Sequence, residues 1–344
     1  MSTPALKTKP ADIVSRTAAS IEALRPVYEL VAPDFRAVNQ LIPTQLTSDV
    51  DLVSEIGTHI VASGGKRLRP LMVLLTSGAL EYKGEHHIRL AAIIEFLHTA
   101  TLLHDDVVDR SGLRRGKVTA NEKWGNAPSV LVGDFLYSRA FQMMVDIGQL
   151  DIMGILAGAT NTIAEGEVLQ LTNIGNIATT ETEYREIIRC KTALLFEAAC
   201  HTGAVLASDK TGASPELMRR FGLHFGITYQ LVDDWLDYVG DSETLGKNVG
   251  DDLAEGKLTL PLIYAIQNAP TKQRQTIETA IASRSVAELP DVLEIVRNTG
   301  ALDYVYQAIR NEADQTLCCL EALPQNSYVD ALRTLTEYST SRLF

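Results

Sequence analysis

The stretch RLAAIIEFLHTATLLHDDVVD, residues 89–109, carries the pattern that decides the fold class of this chain. Its apolar positions recur every three or four residues, as on one face of an α-helix with about 3.6 residues per turn. That face consists of Leu90, Ile93, Ile94, Leu97, Thr101 and Leu102. The stretch therefore predicts a long helix that ends in a group of aspartates.

The same helical period extends over most of the chain. It recurs in residues 129–148, 151–172, 182–208, 215–239 and 257–268, and more weakly in 271–283, 301–322 and 328–341. Alternation typical of strands is nearly absent, so the sequence predicts an all-α fold. Several segments are apolar on more than one side, which favours a large helical bundle. We expect a partly flexible segment over residues 1–25 and a single domain over residues 26–344, because no linker or repeat interrupts the chain.

Composition limits the possible functions. The 344 residues are 46% apolar, and 31 basic residues stand against 43 acidic ones, a net charge of −12. This balance argues against nucleic acid as a partner and against general affinity for an anionic membrane. The four cysteines lack CxxC spacing and are expected to be reduced. The N-terminus lacks a signal-peptide core and no run approaches ~18 apolar residues, so a soluble, cytoplasmic protein is expected.

Two aspartate clusters of the form DDxxD follow apolar helical runs. Their members are Asp105, Asp106 and Asp109, and then Asp233, Asp234 and Asp237. Carboxylates this close raise each other's pKa unless cations lie among them, and Mg²⁺ commonly shares carboxylates with phosphate oxygens. One such cluster can be a solvated helix end, but two predict facing carboxylates that hold metal ions and, through them, a diphosphate. His98 lies two turns before Asp105 on nearly the same face and could be a ligand or a structural residue.

Basic residues would supply the other diphosphate contacts. GGKRLRP places three of them at a glycine turn that a phosphate can approach closely. The candidates are Lys66, Arg67, Arg69, Arg114, Arg115, Lys191 with its neighbour Thr192, Lys247 and Lys257. The arginine fork suits phosphate oxygens and lysine supplies compact charge, although each residue taken singly could be an ordinary surface residue.

In this order, the motifs GGKRLRP, LLHDDVVDRSGLRRG, KT, YQLVDDWLD and GKNVGDDLAEGK resemble those of the trans-isoprenyl diphosphate synthases. The resemblance runs from about residue 45 to the C-terminus, and the stretches around the motifs are most similar to bacterial members that make octaprenyl diphosphate. It implies the isoprenoid synthase fold, an all-helical bundle around a deep central cavity that both aspartate motifs face. It also implies three Mg²⁺ ions on an allylic diphosphate, and a homodimer.

Carried over position by position, the resemblance assigns roles to individual residues. Isopentenyl diphosphate would be bound by Lys66, Arg69, His98 and Arg115. The allylic diphosphate would be bound by Arg114, Lys191, Thr192, Gln230, Lys247 and Lys257. The metal ligands would be Asp105, Asp109, Asp233 and Asp237, and the catalytic set would be Asp105, Asp109, Asp233, Arg114 and Lys191.

The expected reaction follows from physical chemistry. Breaking the allylic C–O bond leaves an allylic cation and puts negative charge on the departing diphosphate, which preorganised cations stabilise. The double bond of isopentenyl diphosphate is then the nucleophile, held in place by its own diphosphate clamp. We expect the glycine-rich loop 240–256 to close over the phosphates.

Small residues upstream of Asp105 bear on product length. In short-chain members an aromatic near the position of Ala100 closes the cavity, whereas Ala100 and Thr101 here predict a tunnel that continues. The chain also has GEVLQ at residues 166–170 where short-chain members often have GQxxD. We expect octaprenyl diphosphate for quinone side chains, made from farnesyl diphosphate, and solanesyl and decaprenyl diphosphate are the alternatives. Release of so apolar a product would need at most transient membrane contact.

Three other classes compete with this interpretation. A terpene cyclase binds one diphosphate and would not need the GGKRLRP and Arg115 site. A non-catalytic synthase subunit would be expected to lack one acidic cluster, and both are present. A helical metal-dependent phosphohydrolase would use histidine–aspartate pairs; His104–Asp105 matches that dipeptide, but no second histidine ligand stands out.

Overall fold

The computed structural model describes residues 24–211, 215–239, 249–284 and 286–341. Residues 24–30 are helical. The helices that follow are α1 (Ala32–Gln45), α2 (Asp51–Ala62), α3 (Leu68–Ala79), α4 (His86–Val108), α5 (Ala120–Trp124), α6 (Asn126–Ile147), α7 (Leu150–Asn173), α8 (Glu181–Ile188), α9 (Leu194–Thr211), α10 (Pro215–Val239), α11 (Asp251–Glu255), α12 (Leu260–Asn268), α13 (Thr271–Ser283), α14 (Leu289–Asn298), α15 (Ala301–Glu321) and α16 (Ser327–Ser341). The all-α prediction is confirmed.

Helix α4, which contains most of the opening stretch, lies at the centre of the bundle. It packs along α6 and α3, while α9 packs against α10 and α3, and α10 packs against α15. Its buried residues lie all around its circumference, because neighbouring helices cover it on several sides. Ile93, Ile94 and Phe96 are fully buried, and each contributes about 1.5–3 kcal/mol of hydrophobic stabilisation.

Two helical predictions differ from the structure. Residues 182–208 were expected to form one helix, but a π-helical turn at Arg189–Ala193 separates α8 from α9. The helix expected over residues 257–268 begins only at Leu260, because Thr259 is extended and Pro261 favours the first turn of a helix. Sequence periodicity detects helical spacing but not a single wide turn within a helix.

A short β-hairpin joins α4 to α5, which the sequence did not suggest. Its strands are β1 (Leu113–Arg114) and β2 (Lys117–Val118), paired antiparallel with Arg114 opposite Lys117. Arg115 and Gly116 connect the strands with φ values of 52° and 74°, as a type I′ turn requires. Two-residue strands are too short to show alternation in a sequence, so this element depends on its tertiary contacts.

Several other expectations bear on the chain as a whole. The four cysteines are unpaired; Cys190, Cys200 and Cys319 are buried and Cys318 is exposed. Among the described residues, no helix combines the length and the apolar character needed to cross a bilayer. The flexible segment predicted for residues 1–25 falls almost entirely outside the described residues, so the domain boundary at residue 26 stays a prediction.

Candidate active site

The first aspartate motif lies at the C-terminal end of α4. Asp105 and Asp109 are half-buried, whereas Asp106 is fully buried. The Nε and Nη2 atoms of Arg114 lie 2.8 and 2.7 Å from Oδ1 of Asp106. The middle aspartate therefore anchors Arg114, the first of the two arginines predicted to bind diphosphate.

The hairpin carries Arg115 to the GGKRLRP loop. Nζ of Lys117 donates to the carbonyl of Ala62 at 2.6 Å, which fixes the hairpin against this loop. The guanidinium of Arg115 lies against Gly65, where a Cβ atom would overlap it, and Gly65 has a φ of 131°. The second glycine of the motif is thus explained by the close approach of Arg115.

Arg69 and His98, both predicted to bind isopentenyl diphosphate, are in contact. Nη1 of Arg69 lies 3.1 Å from Nε2 of His98. The Arg69 guanidinium also lies 4.3 Å from the ring centre of Phe196. Burial lowers the pKa of Arg69 to about 10, and burial together with the neighbouring arginines lowers the pKa of His98 well below its ordinary value. His98 is therefore neutral, with Nε2 as the acceptor and the proton on Nδ1.

Glu95 is a carboxylate within this arginine cluster that the sequence analysis missed. Its Oε1 lies 3.8 Å from Nε of Arg67, and its Oε2 is buried 4.0 Å from Nδ1 of His98. Burial raises the pKa of Glu95, and the surrounding arginines oppose this shift. Glu95 precedes His98 by three residues on α4, so helical spacing could have revealed it.

Lys66 and Arg67 belong to the same loop but differ in their surroundings. The exposed Lys66 has its ammonium 5.0 Å from the ring centre of Tyr338 on α16, and its carbonyl accepts a hydrogen bond from the hydroxyl of Tyr28 at 2.5 Å. Arg67 instead contacts Asn39 and Glu95. Lys66 therefore remains a candidate ligand, whereas Arg67 has a structural role.

Lys191 and Thr192 both lie in the π-helical turn, a feature often found at functional sites. Neighbouring helices approach this turn closely: a Cβ atom at Gly166 would overlap Cys190, and one at Gly226 would overlap Ala193. Nζ of Lys191 donates to Oε2 of Glu167 at 2.7 Å. Glu167 belongs to GEVLQ and was not assigned a role from the sequence.

Thr192 and Gln230 are linked to the second aspartate motif by a chain of hydrogen bonds. Oγ1 of Thr192 donates to Oε1 of Gln230 at 2.7 Å, and Nε2 of Gln230 donates to Oδ1 of Asp234 at 2.7 Å. The hydroxyl of Tyr184 donates to Oδ2 of Asp234. Burial and Asp252 raise the pKa of Asp234, and the two donors oppose this shift. Tyr184 was also missed, although it precedes Lys191 by two helical turns.

Residues 251–257 contact both aspartate motifs. The carboxylate of Asp237 accepts backbone hydrogen bonds from Asp251 and Asp252 at 3.2 and 3.3 Å. That segment leads to Lys257, whose Nζ lies 3.7 Å from Oδ2 of Asp109 in the first motif. Burial lowers the pKa of Lys257, but carboxylates including Asp109 outweigh it and raise the pKa above its ordinary value.

Not every predicted residue can be placed. Lys247 lies outside the described residues, as does most of the loop proposed to close over the phosphates. Asp233 is half-buried on α10, one residue before the buried Asp234. Ala100 is fully buried, and the Thr101 hydroxyl donates to the carbonyl of His98 at 2.8 Å.

A pocket lies on the allylic side of the site. It is lined by four predicted ligands of the allylic diphosphate, Lys191, Thr192, Gln230 and Lys257. Apolar side chains such as those of Ile188 and Leu258 complete its wall. Ala100 and Thr101 do not line this pocket, so the tunnel past Ala100 stays a prediction.

The acidic side chains fit divalent cations. Burial, together with Glu167 and Asp109, raises the pKa of Asp105 to about 6, and burial together with Asp252 raises that of Asp237 to about 7. Such crowding is relieved by a hard cation. Within the described ranges, no three acidic, histidine or cysteine side chains form a metal site by themselves. Ions held here would share their coordination with diphosphate oxygens, as Mg²⁺ commonly does.

His104 provides no support for a phosphohydrolase. Its Nε2 lies 3.1 Å from the carbonyl of Val130, and its ring stacks on Tyr137 with ring centres 5.9 Å apart. The imidazole is therefore directed at α6, and the His104–Asp105 dipeptide is not a metal-binding pair.

Known proteins are similar to this chain in sequence and in architecture. Residues 50–297 match the sequence profile of the family described as polyprenyl synthetase. Octaprenyl diphosphate synthase of Escherichia coli (strain K12) is 47% identical over 323 residues, covering 93% of this chain and 99% of the relative. An all-trans-nonaprenyl-diphosphate synthase (geranyl-diphosphate specific) of Rhodobacter capsulatus is also 47% identical, over 94% of this chain and 99% of the relative.

A solved structure is similar in both fold and sequence. It is the polyprenyl synthase from Caulobacter crescentus CB15 complexed with calcium and isoprenyl diphosphate, with a TM-score of 0.87 and 43% identity. The match covers 92% of this chain and 97% of that one. Both the sequence and the isoprenoid synthase fold lead to one conclusion: this chain belongs to the polyprenyl synthetase family.

Proposed function

We propose that this protein is a long-chain all-trans polyprenyl diphosphate synthase, a prenyltransferase that adds isopentenyl diphosphate repeatedly to farnesyl diphosphate. The observation that carries the proposal is the hairpin after α4. Its adjacent arginines serve different regions, because Arg114 binds Asp106 and Arg115 lies against Gly65 of the GGKRLRP loop. Two adjacent arginines that reach different partners beside one aspartate motif suit a reaction that joins two diphosphates.

The proposed ligands divide between these sites. Isopentenyl diphosphate would contact Lys66, Arg69, His98 and Arg115, and the allylic diphosphate would contact Arg114, Lys191, Thr192, Gln230, Lys247 and Lys257. Lys191 is paired with Glu167, and Lys257 lies close to Asp109. A diphosphate with its accompanying cations would replace these partners, so the lysines would be in place to stabilise the charge of the leaving group.

We propose that Asp105, Asp109, Asp233 and Asp237 hold about three Mg²⁺ ions together with the allylic diphosphate. When bound, the ions would withdraw charge from the departing diphosphate. The middle aspartates of the two motifs, Asp106 and Asp234, already bind other side chains of the protein. The reaction needs no nucleophilic side chain, because the second substrate supplies its double bond.

Incubation with farnesyl diphosphate, isopentenyl diphosphate and Mg²⁺, followed by product sizing, tests the proposal. We expect repeated elongation and loss of activity when a chelator removes the metal. Asp105→Asn should lower kcat by at least about 100-fold. Asp146→Asn, the same change at an exposed residue of α6, should not lower it. Release of inorganic phosphate without elongation would refute the proposal.

The product is proposed to be octaprenyl diphosphate for quinone side chains. Relatives of equal identity carry names with different chain lengths, octaprenyl and nonaprenyl, so a longer product is the second candidate. The same product-sizing experiment distinguishes them. Dominance of the nonaprenyl or decaprenyl product would replace the first assignment with the second.

We further propose that the protein is a homodimer that works in the cytoplasm and contacts membranes at most transiently to release its product. Exposed apolar side chains on α6 and α7, among them Leu131, Val145, Leu150 and Val168, support an interface there. Sedimentation equilibrium should give twice the mass of the chain, and Leu131→Glu should shift it toward the monomer. A monomeric wild-type protein would contradict the dimer.

A further inference from the structure

Asp234, the middle aspartate of the second motif, is held by two side chains of the protein. It is buried, and each of its carboxylate oxygens already accepts a hydrogen bond, Oδ1 from Gln230 and Oδ2 from Tyr184. Asp106 of the first motif is likewise buried and occupied by Arg114. In both motifs the middle carboxylate binds a residue that the proposed function assigns to the allylic diphosphate.

The contact with Asp234 decides which end of the Gln230 amide faces which neighbour. A carboxylate only accepts hydrogen bonds, so it selects the NH₂ end of the amide. With the amide reversed, Oε1 would lie 2.7 Å from Oδ1 of Asp234, which is repulsive. Thr192 then donates to Oε1. The orientation of Gln230 is therefore fixed from both sides.

This orientation matters to an anionic ligand. The oxygens of a diphosphate accept hydrogen bonds and donate none, so a complementary wall must present N–H or O–H groups. With one N–H of Gln230 on Asp234 and Oε1 on Thr192, the group that remains for a ligand is the second N–H of Nε2. A reversed amide would present a carbonyl oxygen and repel the diphosphate.

Tyr184 completes the arrangement from a different helix. It is buried on α8, and its hydroxyl is the donor to Oδ2 of Asp234. Without it, Oδ2 would be a buried acceptor without a donor, a situation that costs about 1–3 kcal/mol and favours rotation of the carboxylate. Rotation would release Gln230 from its single orientation.

We propose that Asp234 and Tyr184 are positioning residues that fix the Gln230 amide as a hydrogen-bond donor to the allylic diphosphate, and that Asp234 is not a metal ligand. The inference rests on the proposed function, because it refines the allylic site of that reaction. Loss of either positioning residue should therefore weaken binding of the allylic substrate, while binding of isopentenyl diphosphate and of Mg²⁺ should stay the same.

Steady-state kinetics of Tyr184→Phe and Asp234→Asn test this. We expect KM for farnesyl diphosphate to rise about tenfold in each, with KM for isopentenyl diphosphate and the half-saturating Mg²⁺ concentration within about twofold of wild type. Tyr238→Phe is the matched control, because Tyr238 is an equally buried tyrosine of α10 whose hydroxyl lies 3.3 Å from Thr259. It should leave all three quantities unchanged.

A double-mutant cycle separates positioning from general destabilisation. In a Gln230→Ala background, Tyr184→Phe should have little further effect on KM for farnesyl diphosphate, because its partner is already gone. Full additivity would overturn the proposal. So would a raised Mg²⁺ requirement in Asp234→Asn, which would make Asp234 a metal ligand.

Separate controls distinguish a variant that fails to fold from a failure of the proposed function. Thermal unfolding identifies a variant that fails to fold. If Asp234→Asn fails to fold, the effect of Tyr184→Phe in the wild-type and Gln230→Ala backgrounds tests the positioning role by itself. Wild-type protein that elongates normally, with variants unchanged in KM, refutes the positioning role and leaves the proposed function intact. Wild-type protein that does not elongate refutes the proposed function itself.

Discussion

Replacing Gly65 by alanine should weaken the binding of isopentenyl diphosphate much more than that of the allylic substrate. Gly65 has a φ of 131°, and an added Cβ would overlap the Arg115 guanidinium. The side chain of Arg115 would have to leave this position. Because Arg115 sits at the tip of the hairpin, the displacement removes it from the proposed isopentenyl diphosphate site and leaves Arg114 on Asp106.

The size of the effect follows from the interaction that is lost. A hydrogen bond to a charged group contributes about 1.5–3 kcal/mol, and each 1.4 kcal/mol is a tenfold change in affinity. Arg115 is exposed, so solvent screening places the loss at the lower end, about tenfold in Kd. The backbone strain of a non-glycine residue at this φ, on the order of 1–3 kcal/mol, should appear separately in the stability.

Gly64 provides the matched control. It also has a positive φ, 78°, but a Cβ atom there would meet nothing within 4 Å. Gly64→Ala should therefore lower the melting temperature without displacing Arg115. Calorimetric titration with isopentenyl diphosphate, in parallel with thermal unfolding, measures both quantities for the two variants.

Equal affinities in Gly65→Ala and Gly64→Ala would refute the reasoning, because the two variants differ mainly in the contact with Arg115. An equal loss for both substrates in Gly65→Ala would also refute it. That outcome would mean that the loop supports the whole site rather than one diphosphate.

The remaining predictions concern α4. Glu95→Gln should raise KM for isopentenyl diphosphate although it removes a negative charge from the proposed site, since the Glu95 carboxylate attracts Arg67, Arg69 and Arg115; a lower KM would show that simple charge repulsion dominates. Because His98 is neutral in the folded state and has a pKa near 6.5 when unfolded, the free energy of unfolding should fall as pH drops below about 6.5. His98→Asn should flatten this slope by up to about 1.4 kcal/mol per pH unit in chemical denaturation, and an unchanged slope would contradict a neutral His98. Ala100→Tyr should shorten the product and, by overpacking a fully buried position, destabilise the fold by about 1–3 kcal/mol; an unchanged product length would mean that the tunnel does not pass Ala100.

Much of the site could be anticipated because its residues lie in short motifs. His98 and Asp105 share one face of α4, Asp109 follows as its C-cap, and helical spacing alone places the three together. Glu95, Glu167 and Tyr184 were missed, although two of them lie at helical spacing from predicted ligands. A single glutamate or tyrosine has many ordinary roles, and only its partner in space gives it a specific one.

The sequence by itself determined the helical class, because helices produce a local apolar periodicity. It also determined the family and the residue types that a diphosphate and its metal ions need, because these appear in motifs of a few residues. Only the tertiary structure showed which side chains the middle aspartate of each motif binds. Asp106 and Asp234 are engaged by Arg114, Gln230 and Tyr184 from other elements. Burial and hydrogen-bond partners depend on contacts between distant parts of the chain, and these contacts cannot be predicted from local sequence spacing.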